Sequence, residues 1–364
     1  MRTRVYRESA GAAGVGLPLG RRRVVVVGLV LLALIAVVGL AWAKWVPYTG
    51  RTQTLLNTHT WAGSSIFTSA DGGTTPSIAG AWAFTRVYIA AVWPAAVVGI
   101  VLASALESFV PRGWVVRLLS RRAGWRQGVL GGLAALPTMM CTCCTAPVAS
   151  SLRRRGVPIG ASVAYWLGNP LLNPAVLVFL ALTLPWPFTA VRLAVGAVVV
   201  LGAAVLAARV APDGGSSSRS VVVEGQPGSV PALLGRFVRT LARYTVILVP
   251  EYLLLVFLTG WLSGVLSNWA GLGDVGGPVA LLVVGLVGAA LVIPTGGEIP
   301  VIVGLVAAGA SMGVAGTLLI TLPALSVPSL VMVGRSFGWR ALSTTTLVVV
   351  TGGILAGGLL LLLS

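Results

Sequence analysis

Charge is what this 364-residue chain has least of: Asp, Glu, Lys and Arg together make up 9% of it, and only eight residues are acidic against 25 Lys and Arg. An ordinary soluble domain carries about 25% charged residues. With 57% hydrophobic residues and a mean hydropathy of +0.97, the chain is built for lipid rather than water. Cysteine is equally sparse. All three lie between positions 141 and 144, which excludes the dispersed, even-numbered pattern of a secreted disulfide framework. Histidine occurs once, as His59 in a polar stretch, where a lone imidazole reads as a solvated residue. No Gly-x-x-x-x-Gly-Lys-Ser/Thr loop is present, so an ATP-driven pump would need a partner subunit. The net charge of +17 comes from short basic clusters between apolar runs, with no basic face interleaved with aromatics. That pattern excludes nucleic acid and fits cytoplasmic loops under the positive-inside rule.

A hydrocarbon core of about 30 Å takes about 20 apolar residues per helix. Seven runs qualify as full spans: Val24 to Trp45, Trp82 to Val110, Ile159 to Leu184, Phe188 to Val210, Tyr244 to Leu266, Met312 to Val333 and Ala341 to Leu363. The first follows Arg21-Arg22-Arg23 and is longer than the core of a signal peptide, so it reads as an uncleaved helix, although Ala41-Trp42-Ala43 resembles a cleavage site. Pro47 to Gly80 is rich in Thr, Ser and Gly and reads as an external loop; 212–230 is rich in Ser and Gly and reads as a linker. Two further apolar segments, Gly128 to Leu152 and Pro278 to Ala308, are interrupted by prolines, which remove a backbone donor and disfavour helix in the residue before them. The division is 1–81 for the tail, first helix and loop, 82–210 for a first repeat, 211–240 for the linker and 241–364 for a second repeat.

A shift of 153 positions maps Pro147 onto Pro300, Val148 onto Val301, Leu152 onto Leu305, Gly156 onto Gly309, Gly160 onto Gly313, Pro170 onto Pro323 and Leu172 onto Leu325. Charge decides how the copies sit. If every segment spanned from a cytoplasmic N-terminus, Arg153-Arg154-Arg155 and the arginines at 209, 219, 236 and 239 would fall outside. If Gly128 to Leu152 enters from the cytoplasm and returns to it, both groups become cytoplasmic. The second copy then starts from the opposite side, where Val306-Ala307-Ala308 replace the arginines. The expected fold is an all-α polytopic membrane protein with an inverted-topology repeat, about seven full spans and two proline-broken re-entrant hairpins, or alternatively nine spans. Irregular backbone at membrane depth is tolerated only inside protein or beside a cavity, so the tips Thr138 to Ala146 and Thr295 to Ile299 should meet there.

Thiolates are soft ligands that suit Cu(I), Zn(II) and trivalent arsenic. Cys141, Cys143 and Cys144, bracketed by Pro137 and Pro147, are therefore candidate metal and substrate ligands, with Met140 beside them as a thioether donor. Met139 stands in the same position. Buried cysteine and methionine also serve as plain core filler. Glu298, among glycines in Pro294-Thr-Gly-Gly-Glu-Ile-Pro300, is an intramembrane acid suited to a coupling proton or to balancing a cation; a structural hydrogen bond is the other reading. Asn169 and Asn173, in Gly168-Asn-Pro-Leu-Leu-Asn-Pro174, either line a path or satisfy freed carbonyls. Glu107 and Glu251 are weaker candidates.

The run Cys141-Thr-Cys143-Cys144-Thr-Ala-Pro147-Val-Ala-Ser-Ser-Leu152-Arg-Arg-Arg-Gly156 resembles the signature of the predicted permease family that includes the organoarsenical efflux permeases, and Gly297-Glu-Ile-Pro300 is similar to its second-half motif. The resemblance covers Trp82 to Leu363. It implies transport, with Cys141 and Cys143 as the family's cysteine pair, and gives no support to Met139 or Glu298. Cys144 stands where the family usually has glycine, which favours Cu(I) or another soft cation over an arsenical.

The reading is a secondary transporter rather than an enzyme, in a bacterial inner membrane with its N-terminus in the cytoplasm. Its partners are the bilayer and a small inorganic or organometallic cargo, its arrangement allows a homo-oligomer, and a soft metal or metalloid is cargo rather than a resident cofactor. The alternative is a membrane thiol-disulfide carrier using Cys141 and Cys144, although such carriers place one cysteine in each half and the second half here has none.

Overall fold

The computed structural model describes residues 19–61, 77–111, 125–211, 229–267 and 277–363. The N-terminal tail, positions 62–76 of the polar stretch, the arginines at 112, 117, 121 and 122 and most of the linker lie outside the described residues.

The chain opens with α1 (Leu19–Leu40), one wide turn (Ala41–Trp45) and α2 (Val46–Thr58), which run on as one helix. Part of the stretch expected as an external loop is therefore helical. Two physical features account for it. In the wide turn the Val46 N–H reaches back five residues to Ala41 O, shifting the ladder just ahead of Pro47, which has no N–H to give. Beyond it, the hydroxyls of Thr49, Thr52, Thr54 and Thr58 donate to carbonyls three or four residues earlier in the helix, so threonine content did not signal a loop. His59 ends α2 with a left-handed φ of 50°.

Then come α3 (Ile78–Phe109), α4 (Trp125–Ala135), a single tight turn (Leu136–Thr138), α5 (Thr142–Arg154), α6 (Ile159–Leu171), α7 (Pro174–Thr183) and α8 (Trp186–Val210). The remainder is α9 (Val230–Ser267), α10 (Pro278–Ala290), α11 (Glu298–Ala307), α12 (Met312–Ala324), α13 (Val327–Phe337) and α14 (Trp339–Leu363). Among the described residues there is no strand. Six helical stretches are long and apolar enough to cross a membrane, and a seventh is added if α12 and α13, bent by 50° at their junction, form one span.

Two runs expected as single spans, Ile159 to Leu184 and Met312 to Val333, are each broken into two helices. The cause is local. Pro174 and Pro328 stand in the first turn of the following helix, where a missing N–H costs nothing, and Asn173 and Ser326 cap that turn with their side chains. The starts of α12, α13 and α14 follow those of α6, α7 and α8 by 153 residues each, and the left-handed turns at Gly156 and Gly309, with φ of 89° and 86°, share the shift.

Packing repeats as well. The helices α4 and α5 both pack on α6, while α10 and α11 both pack on α12; the halves join where α3 meets α9 and α8 meets α14. Contact between α12 and α14 is backbone to backbone, since a Cβ on Gly357 would stand 2.4 Å from Gly313 O. Small residues permit this approach where lipid offers no hydrophobic drive for helices to associate.

Candidate functional site

At the end of α4 the chain leaves helical geometry at Pro137, turns through Met139 in the left-handed region at φ 48°, and re-enters a helix at Thr142. Such a conformation costs a non-glycine residue roughly 1–2 kcal/mol, and the surroundings hold it. Asn169 Oδ1 accepts the Met140 N–H at 3.2 Å and the Thr138 hydroxyl, while Asn169 Nδ2 donates to Tyr165 O at 2.9 Å. From the first helix, Trp45 Nε1 donates to Pro137 O at 2.9 Å and Tyr48 OH to Met139 O at 3.4 Å. Asn169 thus ties α6 to the backbone and hydroxyl of the tip.

Cys141 is the N-cap residue of α5, so Cys141 and Cys144 face one another across the first turn with their Sγ atoms 3.1 Å apart. Cys143 lies roughly 100° of helical turn before Cys144 and points elsewhere, its Sγ 3.1 Å from Ser326 Oγ in the second half. All three are buried free thiols. The thiols therefore form a pair, Cys141 with Cys144 at Cys-x-x-Cys spacing, and a single, Cys143. Among the described residues, no group of three or more His, Cys, Asp or Glu side chains is placed to hold a metal ion. The pair brought together is Cys141 with Cys144, not the Cys141 and Cys143 that the resemblance implied. Met140 is fully buried in the main hydrophobic cluster. Close packing of α3 fixes the α5 backbone here: a Cβ on Gly99 would stand 2.3 Å from Cys144 O.

Lys44, read from sequence only as part of the first apolar run, belongs to this site. Its side chain is 6% exposed, and its Nζ donates to Tyr48 OH at 3.1 Å and to Thr295 Oγ1 at 3.2 Å. The Thr295 hydroxyl also lies against the Cys141 thiol, and the Lys44 charge is within electrostatic reach of both Cys141 and Cys144. First helix, first tip and second tip therefore meet at one point. A buried ammonium held only by neutral hydroxyls is costly and marks a candidate site. The wide turn that carries it is itself a form frequent at functional sites.

On the second tip, Gly296 takes the left-handed φ of 83° and Glu298 opens α11 with 1% exposure. Glu298 Oε1 accepts from Arg192 Nη2 at 3.0 Å; its Oε2 is buried with no hydrogen-bond partner among the described residues. Arg192, near the start of the apolar helix α8, was missed by the sequence reading and is fully buried. Its guanidinium also donates to Leu171 O at 3.1 Å, Pro170 O at 2.9 Å and Leu319 O at 2.6 Å. Proline explains two of these acceptors. Pro174 and Pro323 lack the N–H groups that would bond the carbonyls four residues earlier, Pro170 O and Leu319 O. Leu171 O loses its donor too, because the Ala175 N–H turns to Asn173 Oδ1. Arg192 thus serves carbonyls orphaned in both halves, with Glu298 balancing its charge. Any coupling role for Glu298 has to break that pair.

The remaining candidates lie apart. Asn173 caps α7 by accepting from the Ala175 and Val176 N–H groups. Glu107 accepts the Tyr244 hydroxyl, which also accepts from Arg154 Nη1 at 3.3 Å, and Glu251 pairs with Arg335 at 3.6 Å. His59 is exposed at the end of α2. A cavity of ≈ 180 Å³, lined by residues including Leu106, Gly131, Val148, Leu152 and Tyr165, reaches Thr138 of the first tip but touches no cysteine.

Six or seven apolar spans whose buried polar residues gather where helices break define a polytopic membrane protein. Comparison with known proteins sharpens the class. Residues 77–362 match the model of a family described as a predicted permease, and the chain belongs to that family. It is 37% identical over 326 residues to the UPF0718 protein YraQ of Escherichia coli (strain K12), covering 86% of this chain and 89% of that protein. It is 30% identical over 94 residues to the UPF0718 protein YcgR of Bacillus subtilis (strain 168), covering 26% of this chain and 31% of that protein. No solved structure matches. Membership in a permease family speaks for a transporter rather than an enzyme. The matched segment starts after Lys44.

Proposed function

We propose that this chain is a secondary transporter for a soft metal ion, a metalloid or a thiol-reactive compound, with Cys141 and Cys144 as the groups that contact the cargo. The observation that carries the proposal is the 3.1 Å thiol pair, buried at the meeting of both tips and the first helix. Two thiols at that separation present two soft donors to one centre. In this reading Asn169, Asn173, and Glu298 with Arg192 hold the broken helices in place around the pair, while Cys143 and Met140 stand behind it. The two tips are re-entrant, the halves have inverted topology, the membrane is a bacterial inner membrane and the N-terminus is cytoplasmic. Support comes from the recurrence of helix starts at a shift of 153 and from the arginines that follow α5 but have no counterparts after α11. Full-length protein in proteoliposomes should move at least one of Cu(I), Zn(II) or trivalent arsenic, and Cys141→Ser with Cys144→Ser should abolish that flux. Undiminished flux in the double variant sinks the assignment.

The same geometry favours a second reading, a thiol-disulfide carrier. Cys141 and Cys144 would release two electrons and two protons to a partner protein's disulfide and form a disulfide of their own. Alkylation trapping across a range of redox poise decides it: a Cys141–Cys144 disulfide that never appears removes this reading.

A further inference from the structure

We propose that the cargo of this site carries a negative charge beside its thiol-reactive centre, and that Lys44 is the cationic group that receives it; the inference rests on the transport reading above. Arg192 and Glu298 cancel one another as an ion pair. Lys44 has no carboxylate in ion-pair range among the described residues, and its two hydrogen-bond partners, Tyr48 OH and Thr295 Oγ1, are neutral hydroxyls. The ammonium is nevertheless almost wholly buried, beside a pair of thiols that carry no charge when protonated. A bare soft cation entering this space meets a like charge at close range; an anion is attracted to it. The Cys141 end of α5 adds the positive end of a helix dipole on the same side.

A second cation lies two turns further along the same helix. Arg51, exposed on α2, lies 4.5 Å over the ring of Trp61, which packs edge-on against Phe179, as does Tyr48. α2 and the wide turn before it thus carry two cations, Arg51 exposed and Lys44 buried, and a positive potential concentrates anions. Lys44 supplies charge selection and the thiols supply selection for a soft centre. Lys44 lies outside residues 77–362, the segment that the family model matches.

The test uses full-length protein in proteoliposomes and two methanethiosulfonates of similar size, one bearing a sulfonate and one a trimethylammonium group. Each forms a mixed disulfide with Cys141 and releases methanesulfinate. After normalisation to a free thiol, the sulfonate reagent should modify Cys141 about tenfold faster or more. Lys44→Met should bring the ratio near one, and Lys44→Arg should keep it. Equal or inverted rates in the unaltered protein, or failure of both reagents to reach Cys141, overturns the proposal without any variant having to fold. The transport reading fails separately: charge-selective labelling with flux untouched by the cysteine substitutions would remove transport at the pair and leave Lys44 as an anion receptor.

Discussion

The two tips share a backbone plan and differ in what they do with charge. Each follows a half-helix, passes through a left-handed residue, Met139 in one and Gly296 in the other, and enters a second half-helix that packs on the next helix along. On the second tip the one carboxylate is locked to Arg192, and the guanidinium is spent on carbonyls that prolines orphaned. On the first tip a non-glycine residue is held in an uncommon conformation and two thiols face each other, beside an ammonium of the first helix that has no carboxylate in ion-pair range among the described residues. The second tip is held by a staple, and the first keeps unspent chemistry. The copy with a strained backbone and incompletely matched charge is the one to expect at a working site.

The largest way to break this comparison is to remove the staple. Arg192→Met leaves Glu298 buried without its partner and returns three carbonyls to an unsatisfied state, so it should lower the stability of the purified protein by about 3–5 kcal/mol. Glu298→Gln, which retains an acceptor for Arg192, should cost less. Unfolding curves in detergent check both, and an Arg192→Met protein as stable as the parent would show that the second tip does not depend on the pair.

Some of this architecture was legible in the sequence. Proline positions marked both broken segments, and the shift of 153 picked out by seven identities proves to be the spacing of the helix starts after each tip. Much of the site was not legible, because its members are far apart in the chain and unremarkable alone. Lys44 closed an apolar run and Thr295 was one polar residue in a glycine-rich turn; only folding brings them within 3.2 Å across 251 positions. Arg192 could have been found by asking what an arginine does inside the run Phe188 to Val210, since isolated charge at membrane depth demands a partner. Its real partners, carbonyls freed by Pro174 and Pro323, become visible only once proline is read as leaving acceptors behind as well as ending helices. The Cys-x-x-Cys spacing of Cys141 and Cys144 was visible in the chain, whereas the contact of Cys143 with Ser326 depends on where α5 begins, at Thr142, inside the tip expected to be irregular from Thr138 to Ala146.

A middle-sized effect compares backbone contact in the two copies. Gly99→Ala drives a Cβ to 2.3 Å from Cys144 O, so α3 and α5 must part; about 1–3 kcal/mol of stability should be lost and the alkylation rate of Cys144 should change. Gly304 on α11 has nothing within 4 Å of the same added atom. There Gly304→Ala should stabilise by about 0.5–1 kcal/mol through helix propensity alone. Equal responses at the two glycines would mean that the first tip is no more tightly seated than the second.

The smallest expected effect is the most discriminating for the thiols. The family resemblance pairs Cys141 with Cys143, whereas the fold pairs Cys141 with Cys144 and gives Cys143 to Ser326 across the seam between the halves. Ser326 keeps its other bonds, capping α13 by accepting from Ser329 N–H, if Cys143 is replaced. Cys143→Ala should therefore cost about 1 kcal/mol or less, the net worth of one hydrogen bond and a small volume change, and should leave cargo flux near the parent level. Cys144→Ala, of the same size and burial, should abolish flux while costing similar stability. If instead Cys143→Ala stops transport and Cys144→Ala spares it, the resting pair is not the cargo pair, and α5 must rotate by roughly one residue's worth of helical turn, about 100°, to bring Cys143 to the side that Cys141 faces.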